Sequence, residues 1–226
     1  IGSALKPIFT TLGALQSLST TGSTYVTNAG ALDVTVLDGG AGLGQESGGV
    51  IATVASSPIT VSNNILAAGH ITLTASESAI KDYDIITINP NVTVVSTAGD
   101  IALRAGDHII LGADAEVTAN AGSISFESDY NDIDSGGGDV IIDGGDTIIV
   151  GQASAANDLT ITSGSNSDKI AITGVLSAGN DLNILAGNQA HRITISGELN
   201  AGHNLFVQSG QNRDIINVSG IMTAGN

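Results

Sequence analysis

The sequence predicts an all-β protein wound as a parallel β-helix. Three observations predict it: an ungapped 23-residue repeat, apolar residues two apart within each copy, and glycines at fixed phases between them. The copies fill residues 155–177, 178–200 and 201–223, reading AANDLTITSGSNSDKIAITGVLS, AGNDLNILAGNQAHRITISGELN and AGHNLFVQSGQNRDIINVSGIMT, and AGN at Ala224 opens a fourth. Self-similarity at this period marks a stacked architecture, because one unit cannot bury its apolar face until another lies on it.

Strands follow from the columns of that alignment. Leu159, Leu182 and Leu205 share one column, and Ile161, Ile184 and Val207 share the next but one. Ile170, Ile193 and Ile216, then Ile172, Ile195 and Val218, make a second pair of columns, and Leu176, Leu199 and Met222 a fifth on a third short stretch. Period-two alternation rich in β-branched residues is the pattern of a strand with one face buried. The columns Gly164, Gly187, Gly210 and Gly174, Gly197, Gly220 fall between the strands, where a corner needs either positive φ or close backbone approach. Equivalent strands of neighbouring coils then pair about 4.8 Å apart, and like side chains stack inside.

Upstream the same grammar continues with a looser period. AGDIALRAGDHIILGADAEVTAN, from Ala98, is a further 23-residue coil whose first strand starts one position earlier. AGHITLTASESAIKDYDIITINPNVTVVST, from Ala68, is longer, and its extra residues are expected in an extended corner. Residues 121–154 are longer again, with the echo GGDVIID and GGDTIIV, while GALDVTVLDGG and ITVSNNILAAG flank an inserted glycine-rich loop, GGAGLGQESGG. At about 20 to 30 residues per coil, residues 28–226 hold roughly eight to ten coils. Residues 1–27 have two readings. Leu5, Ile8, Leu12, Leu15 and Leu18 are spaced like one face of a capping helix, whereas the run of Thr and Ser suits an irregular first coil.

Composition fits this architecture and narrows the function classes. Three Phe, three Tyr and no Trp in 226 residues leave the core to aliphatic side chains, and 30 Gly suit frequent corners. Hydrophobic residues at 42% in regular alternation argue against disorder, and no 18-residue apolar run is present to insert in a membrane. With 22 acidic and 6 basic residues the net charge is −16, so nucleic acid and anionic lipid are not expected partners. Cysteine is absent, so no disulfide framework reports the compartment. A start at Ile1 without Met and a stop three residues into a repeat lead us to expect a piece of a longer chain.

Segments such as AGHITLTA, AGDIALRAGDHIILG and LSAGNDLNILAG resemble the glycine-punctuated repeats of the filamentous haemagglutinin-like exoproteins of bacteria. The resemblance spans roughly residues 28–226 and implies a right-handed parallel β-helix, secreted and displayed at the cell surface. The coil here is longer than that family's commoner repeat.

Candidate chemistry is sparse. The acidic stretch DYNDIDSGGGD offers Asp129, Asn131, Asp132, Asp134 and Asp139 around a glycine turn, oxygen ligands of the kind Ca²⁺ takes, although the spacing is neither an EF-hand nor the nonapeptide calcium repeat. The plainer interpretation is a solvated corner. Asp100, Asp107, Asp139, Asp143 and Asp146 beside glycines, with Asn157 and Asn180 in one column, raise the thought of a carboxylate active site. Recurrence at equivalent corners instead suits residues that hydrogen-bond their own turns, and Tyr25, Tyr83 and Tyr130 are too dispersed for a sugar-cleaving cleft. His70, His108, His191 and His203 have no ligand spacing, and a corner bond is expected of His70 and His203. Thr-x-Thr pairs such as Thr160 and Thr162 do not continue as ice-binding ladders, because Asn183 and Phe206, then Leu185 and Gln208, follow in their columns. Asn91 and Asn217 sit in glycosylation sequons, a pattern too short to carry weight.

The expected function is therefore structural and non-enzymatic, with no cofactor required: an extracellular or cell-surface shaft, adhesin segment or fibre unit. Its expected partners are further copies of itself, stacked end to end, or a surface ligand, with the inserted loop at 39–49 and the acidic loop at 128–138 as contact regions. A carbohydrate-binding or carbohydrate-cleaving β-helix is the alternative.

Overall fold

A computed structural model describes residues 1–37, 43–80, 82–131, 140–142 (backbone only), 151–164, 168–188 and 190–225. Among them, 27 strands fall into three parallel sheets of nine strands each, every third strand of the chain joining the same sheet. The result is a β-solenoid, a three-sided prism about 40 Å long at about 4.8 Å per rung.

Register follows the repeat columns. Leu159 pairs with Leu182 and Leu182 with Leu205 on the first sheet. Ile170, Ile193 and Ile216 pair in sequence on the second, and Leu176, Leu199 and Met222 on the third. Side chains alternate strictly: Ile51–Ala55, Ile71–Ala75 and Ile101–Ala105 each bury their first, third and fifth residues and leave the others half-buried outside. Inward residues of the described strands form one hydrophobic cluster, aliphatic except for Phe126, with members from Leu15 to Ala201. Each fully buried Leu or Ile contributes about 1.5–3 kcal/mol.

Coil length varies because corners vary. Partners on the first sheet are 18 residues apart at Ile8 and Val26, 27 at Thr24 and Ile51, 20 at Ile51 and Ile71, 30 at Ile71 and Ile101, and 35 at Ile124 and Leu159. Both the coil from Ile101 and the coil from Leu159 take 23 residues, but the former has three-residue first and second corners and the latter spends six on its first. Corners between the third and first sheets stay at three or four residues throughout, so insertions collect on the other two edges.

At residues 1–27 the structure has strands, and the inserted loop departs from expectation. No capping helix forms at residues 1–27: Ile8–Thr10, Ala14–Leu15 and Ser17–Ser19 are strands, one in each sheet, and Leu5 and Leu12 lie exposed. Within the stretch read as an inserted loop, Gln45–Ser47 is a strand, pairing with Ser17–Ser19 and Ile65–Ala67. Polar QES hid it. Gln45 faces the core, where its Nε2 donates to Thr53 Oγ1 at 2.9 Å, and the Ser47 hydroxyl donates to Gly22 and Val50 carbonyls. Residues 38–42 of that loop lie outside the described residues, as does the second GGD echo, whereas Val140–Ile142 of the first is a strand.

Candidate functional site

The short edge between the third and first sheets carries a ladder of acceptors. Asp100 N–H donates to His70 Nδ1, Ser123 N–H to Asp100 Oδ1, Asp158 N–H to Ser123 Oγ, Asp181 N–H to Asp158 Oδ1, and Asn204 N–H to Asp181 Oδ1. Each corner side chain caps the backbone of the next coil, so these residues do not bond their own turns as the sequence suggested. The expected corner bond of His70 is present in this form. Asn157 and Asn180 meet through backbone, Asn180 N–H donating to Asn157 O, while their side-chain amides go to Ala121 O and Asp158 Oδ1.

The edge between the first and second sheets is different, because it draws acids inside. Asp84 and Asp107 are 0% exposed, Asp168 and His191 3%, and Asp129 8%. Backbone N–H groups of neighbouring coils make this feasible by donating to the buried side chains. Asp107 Oδ2 accepts from Tyr83 N–H at 2.7 Å and Asp84 N–H at 2.8 Å, and Asp214 Oδ1 accepts from His191 N–H at 2.8 Å. Sequence reasoning missed this column, since insertions of different length put its members out of phase; Asp168, His191 and Asp214, spaced 23 apart, were the available signal.

Of the residues predicted to hold Ca²⁺, Asp129 and Asn131 are described and Asp132, Asp134 and Asp139 lie outside the described residues. Both described residues have positive φ, 61° and 63°, as a glycine-free turn of Asp and Asn tolerates. They point to different places: Asp129 is buried against Gly164 of the next coil, whereas Asn131 is exposed. Among the described residues no three His, Asp or Glu side chains are grouped to hold a metal ion. Asp143 and Asp146 also lie outside the described residues, so no carboxylate pair involving them is traced.

Burial perturbs His191 on this edge. Asp168 N–H donates to its Nδ1 at 3.2 Å, which makes Nδ1 the acceptor there, and Asp168 Oδ2 approaches the same atom at 3.5 Å. Burial lowers the pKa below 6.5, against opposing pulls from the Asp214 charge, a backbone bond to Gly187 and the Asp129 charge. A depressed histidine pKa means that the unfolded chain takes up the proton first. Stability is then full above pH 6.5 and declines as pH falls below it, by up to about 1.4 kcal/mol per pH unit until the folded ring protonates. His191→Asn, whose amide oxygen can replace the Nδ1 acceptor, is expected to flatten that part of the stability profile in denaturant titrations at stepped pH. An unchanged profile would show that His191 does not titrate on unfolding.

The outer faces offer little else. Arg104 forms an ion pair with Glu127 at 3.3 Å and lies 5.4 Å from the Tyr130 ring centre, a local bracket across two coils. Among the described residues no helix is long and apolar enough to cross a membrane. Fold and edges together define a parallel β-solenoid repeat protein of about eight turns. No protein-family model, curated protein or solved structure matches the chain.

Proposed function

We propose that this chain is a shaft segment of a bacterial extracellular or cell-surface protein of the filamentous haemagglutinin-like kind, and that it lengthens by end-on pairing with further coils of like sequence. One observation supports this: inward-facing aliphatic residues are fully buried wherever a further coil stacks on them, so each rung is built to be covered by another. Ile193, Ile195 and Leu199 are 0% exposed, yet their partners one coil on, Ile216, Val218 and Met222, are 44%, 45% and 39% exposed. Beside them lie the unpaired strand edges of Leu205–Gln208, Ile215–Val218 and Ile221–Ala224, a ready template for another strand. At the other end Phe9 is 77% exposed and Ile8 42%.

Charge sets the direction of growth. A net charge of −16 makes side-by-side association of rods repulsive, while the apolar end rungs attract, so stacking proceeds along the axis. Electron microscopy and sedimentation over a wide concentration range are expected to show rods longer than the single prism. Ile216→Asp combined with Val218→Asp is expected to return them to single prisms with the other coils still folded. Single prisms of the unaltered chain at every concentration would sink end-on growth.

A further inference from the structure

We propose that the flank of the prism at its first three coils binds a neutral saccharide, in a groove where the first sheet turns into the second. The groove, about 350 Å³, is lined by Phe9, Thr10 and Thr11 of the first coil, Thr27, Asn28 and Ala29 of the second, and Ser56 of the third. Phe9 is 77% exposed and pairs with the outward Thr27, so its ring points sideways out of the prism and not along the axis. Tyr25, two residues before Thr27, stands on the same face, which puts one of the three Phe and one of the three Tyr of the chain on adjacent rungs. Among the described residues no carboxylate lines the groove, so the proposal is binding without cleavage.

The groups left over in the groove select the ligand. Its backbone is engaged from coil to coil, Ala29 N–H donating to Thr10 O and Ser56 N–H to Asn28 O, so a peptide strand has nothing to pair with there. The Asn28 side chain is engaged too: Oδ1 accepts from Thr10 Oγ1 at 2.7 Å and from Leu12 N–H at 2.8 Å, and Nδ2 donates to the Leu12, Gly30 and Ala31 carbonyls. Being 0% exposed, Asn28 is a clamp that holds the walls in place. A ligand then meets one aromatic ring and the hydroxyls of Thr11, Thr27 and Ser56, on successive rungs about 4.8 Å apart. A pyranose is the complement, since its C–H face packs on a ring and its hydroxyls trade hydrogen bonds with side chains that both donate and accept. Charge argues against ionic ligands. In a chain of net charge −16, the outward columns of the first sheet here read Phe9, Thr27, Val54, Thr74 and Tyr25, Ala52, Thr72, all uncharged, and Arg104 on the next rung is paired with Glu127 at 3.3 Å.

The site lies on the flank, so it does not rest on end-on growth and is tested apart from it. Electrophoresis of the whole chain through gels containing dextran, hydroxyethylcellulose or galactomannan, with heparin as the charged comparison, is expected to show retardation by at least one neutral glycan and none by heparin. Calorimetric titration with an oligosaccharide of the retarding glycan then measures the variants. Phe9→Ala is expected to weaken binding about tenfold, as loss of an aromatic anchor does, and Phe9→Tyr to retain it. Thr27→Val, which removes one hydroxyl and keeps the shape, is expected to weaken it about fivefold. Phe206→Ala, at the far end of the same face, is expected to leave it unchanged. Phe9 and Phe206 are both exposed, so melting temperatures of these variants should match the unaltered chain. Failure of every neutral glycan to retard the chain, retardation by heparin, binding that survives Phe9→Ala, or equal losses in Phe9→Ala and Phe206→Ala each overturns the site. So does uptake of the neutral apolar dye N-phenyl-1-naphthylamine at Phe9 with no glycan bound, which would assign the groove to apolar ligands.

Discussion

Leu103→Asp is expected to remove more than about 5 kcal/mol of stability, the low end of what a whole domain has to lose. Leu103 is 0% exposed, and on either side of it in the first sheet stand Leu73 and Phe126, also 0% exposed. Truncating such a leucine costs about 2–5 kcal/mol, and an unpaired buried carboxylate adds several more unless it takes up a proton. Ala102→Asp, one residue away but facing outward, is expected to change stability by about 0.5 kcal/mol or less. Guanidinium unfolding followed by circular dichroism measures both. Hydrogen exchange should show the loss spreading first to the adjacent coils, because a solenoid couples only neighbours. Equal effects of the two substitutions would mean that the side chains do not alternate as described.

Gly197→Ala is expected to be strongly destabilising for a single added methyl, costing about 3 kcal/mol or more. An added Cβ would collide with the carbonyl oxygen of Gly174, the equivalent residue of the previous coil. That oxygen cannot withdraw, since it accepts the Glu198 N–H at 3.0 Å. Overpacking of this kind costs about 1–3 kcal/mol where side chains can yield, and more where rigid backbone must. Two other glycines calibrate the effect. Gly30 has φ of 100° with open space around its Cβ position, so Gly30→Ala should lose only about 1 kcal/mol from the left-handed backbone. Gly13 has neither constraint, so Gly13→Ala should be neutral or gain about 0.4–1 kcal/mol through the unfolded state. If all three fell together in denaturant midpoint, conformational freedom and not coil-to-coil contact would be what these glycines supply.

Legibility differed between strands and corners for a physical reason. Leu159, Leu182 and Leu205 could be aligned by eye because burial on one face of a strand imposes period two, a constraint that acts within five residues. Gln45–Ser47 escaped because its buried positions are polar and are satisfied by Thr53, Gly22 and Val50, contacts that no local pattern announces. The helical spacing of Leu5, Ile8, Leu12, Leu15 and Leu18 misled in the opposite way. Pairing of Ile8–Thr10 with the next coil outweighs whatever helical preference that spacing expresses. The candidate Ca²⁺ loop was legible as composition alone. Asp129 and Asn131 are two apart in sequence, yet one is buried against Gly164 and the other faces water.

By itself the sequence determined the architecture: a 23-residue unit, alternating aliphatic residues and phased glycines suffice to specify strands stacked in register, because every one of those signals arises from contacts that repeat identically in each coil. Tertiary structure alone decided what the corners do. It shows that Gly197 is a matter of close approach and not of positive φ, that aspartates on the edge between the third and first sheets cap the backbone of the next coil, and that buried Asp107 accepts from the Asp84 backbone one coil back. Such contacts join residues 23 or more apart across insertions of unequal length, so their partners are set by how coils stack in space and have no fixed separation along the chain.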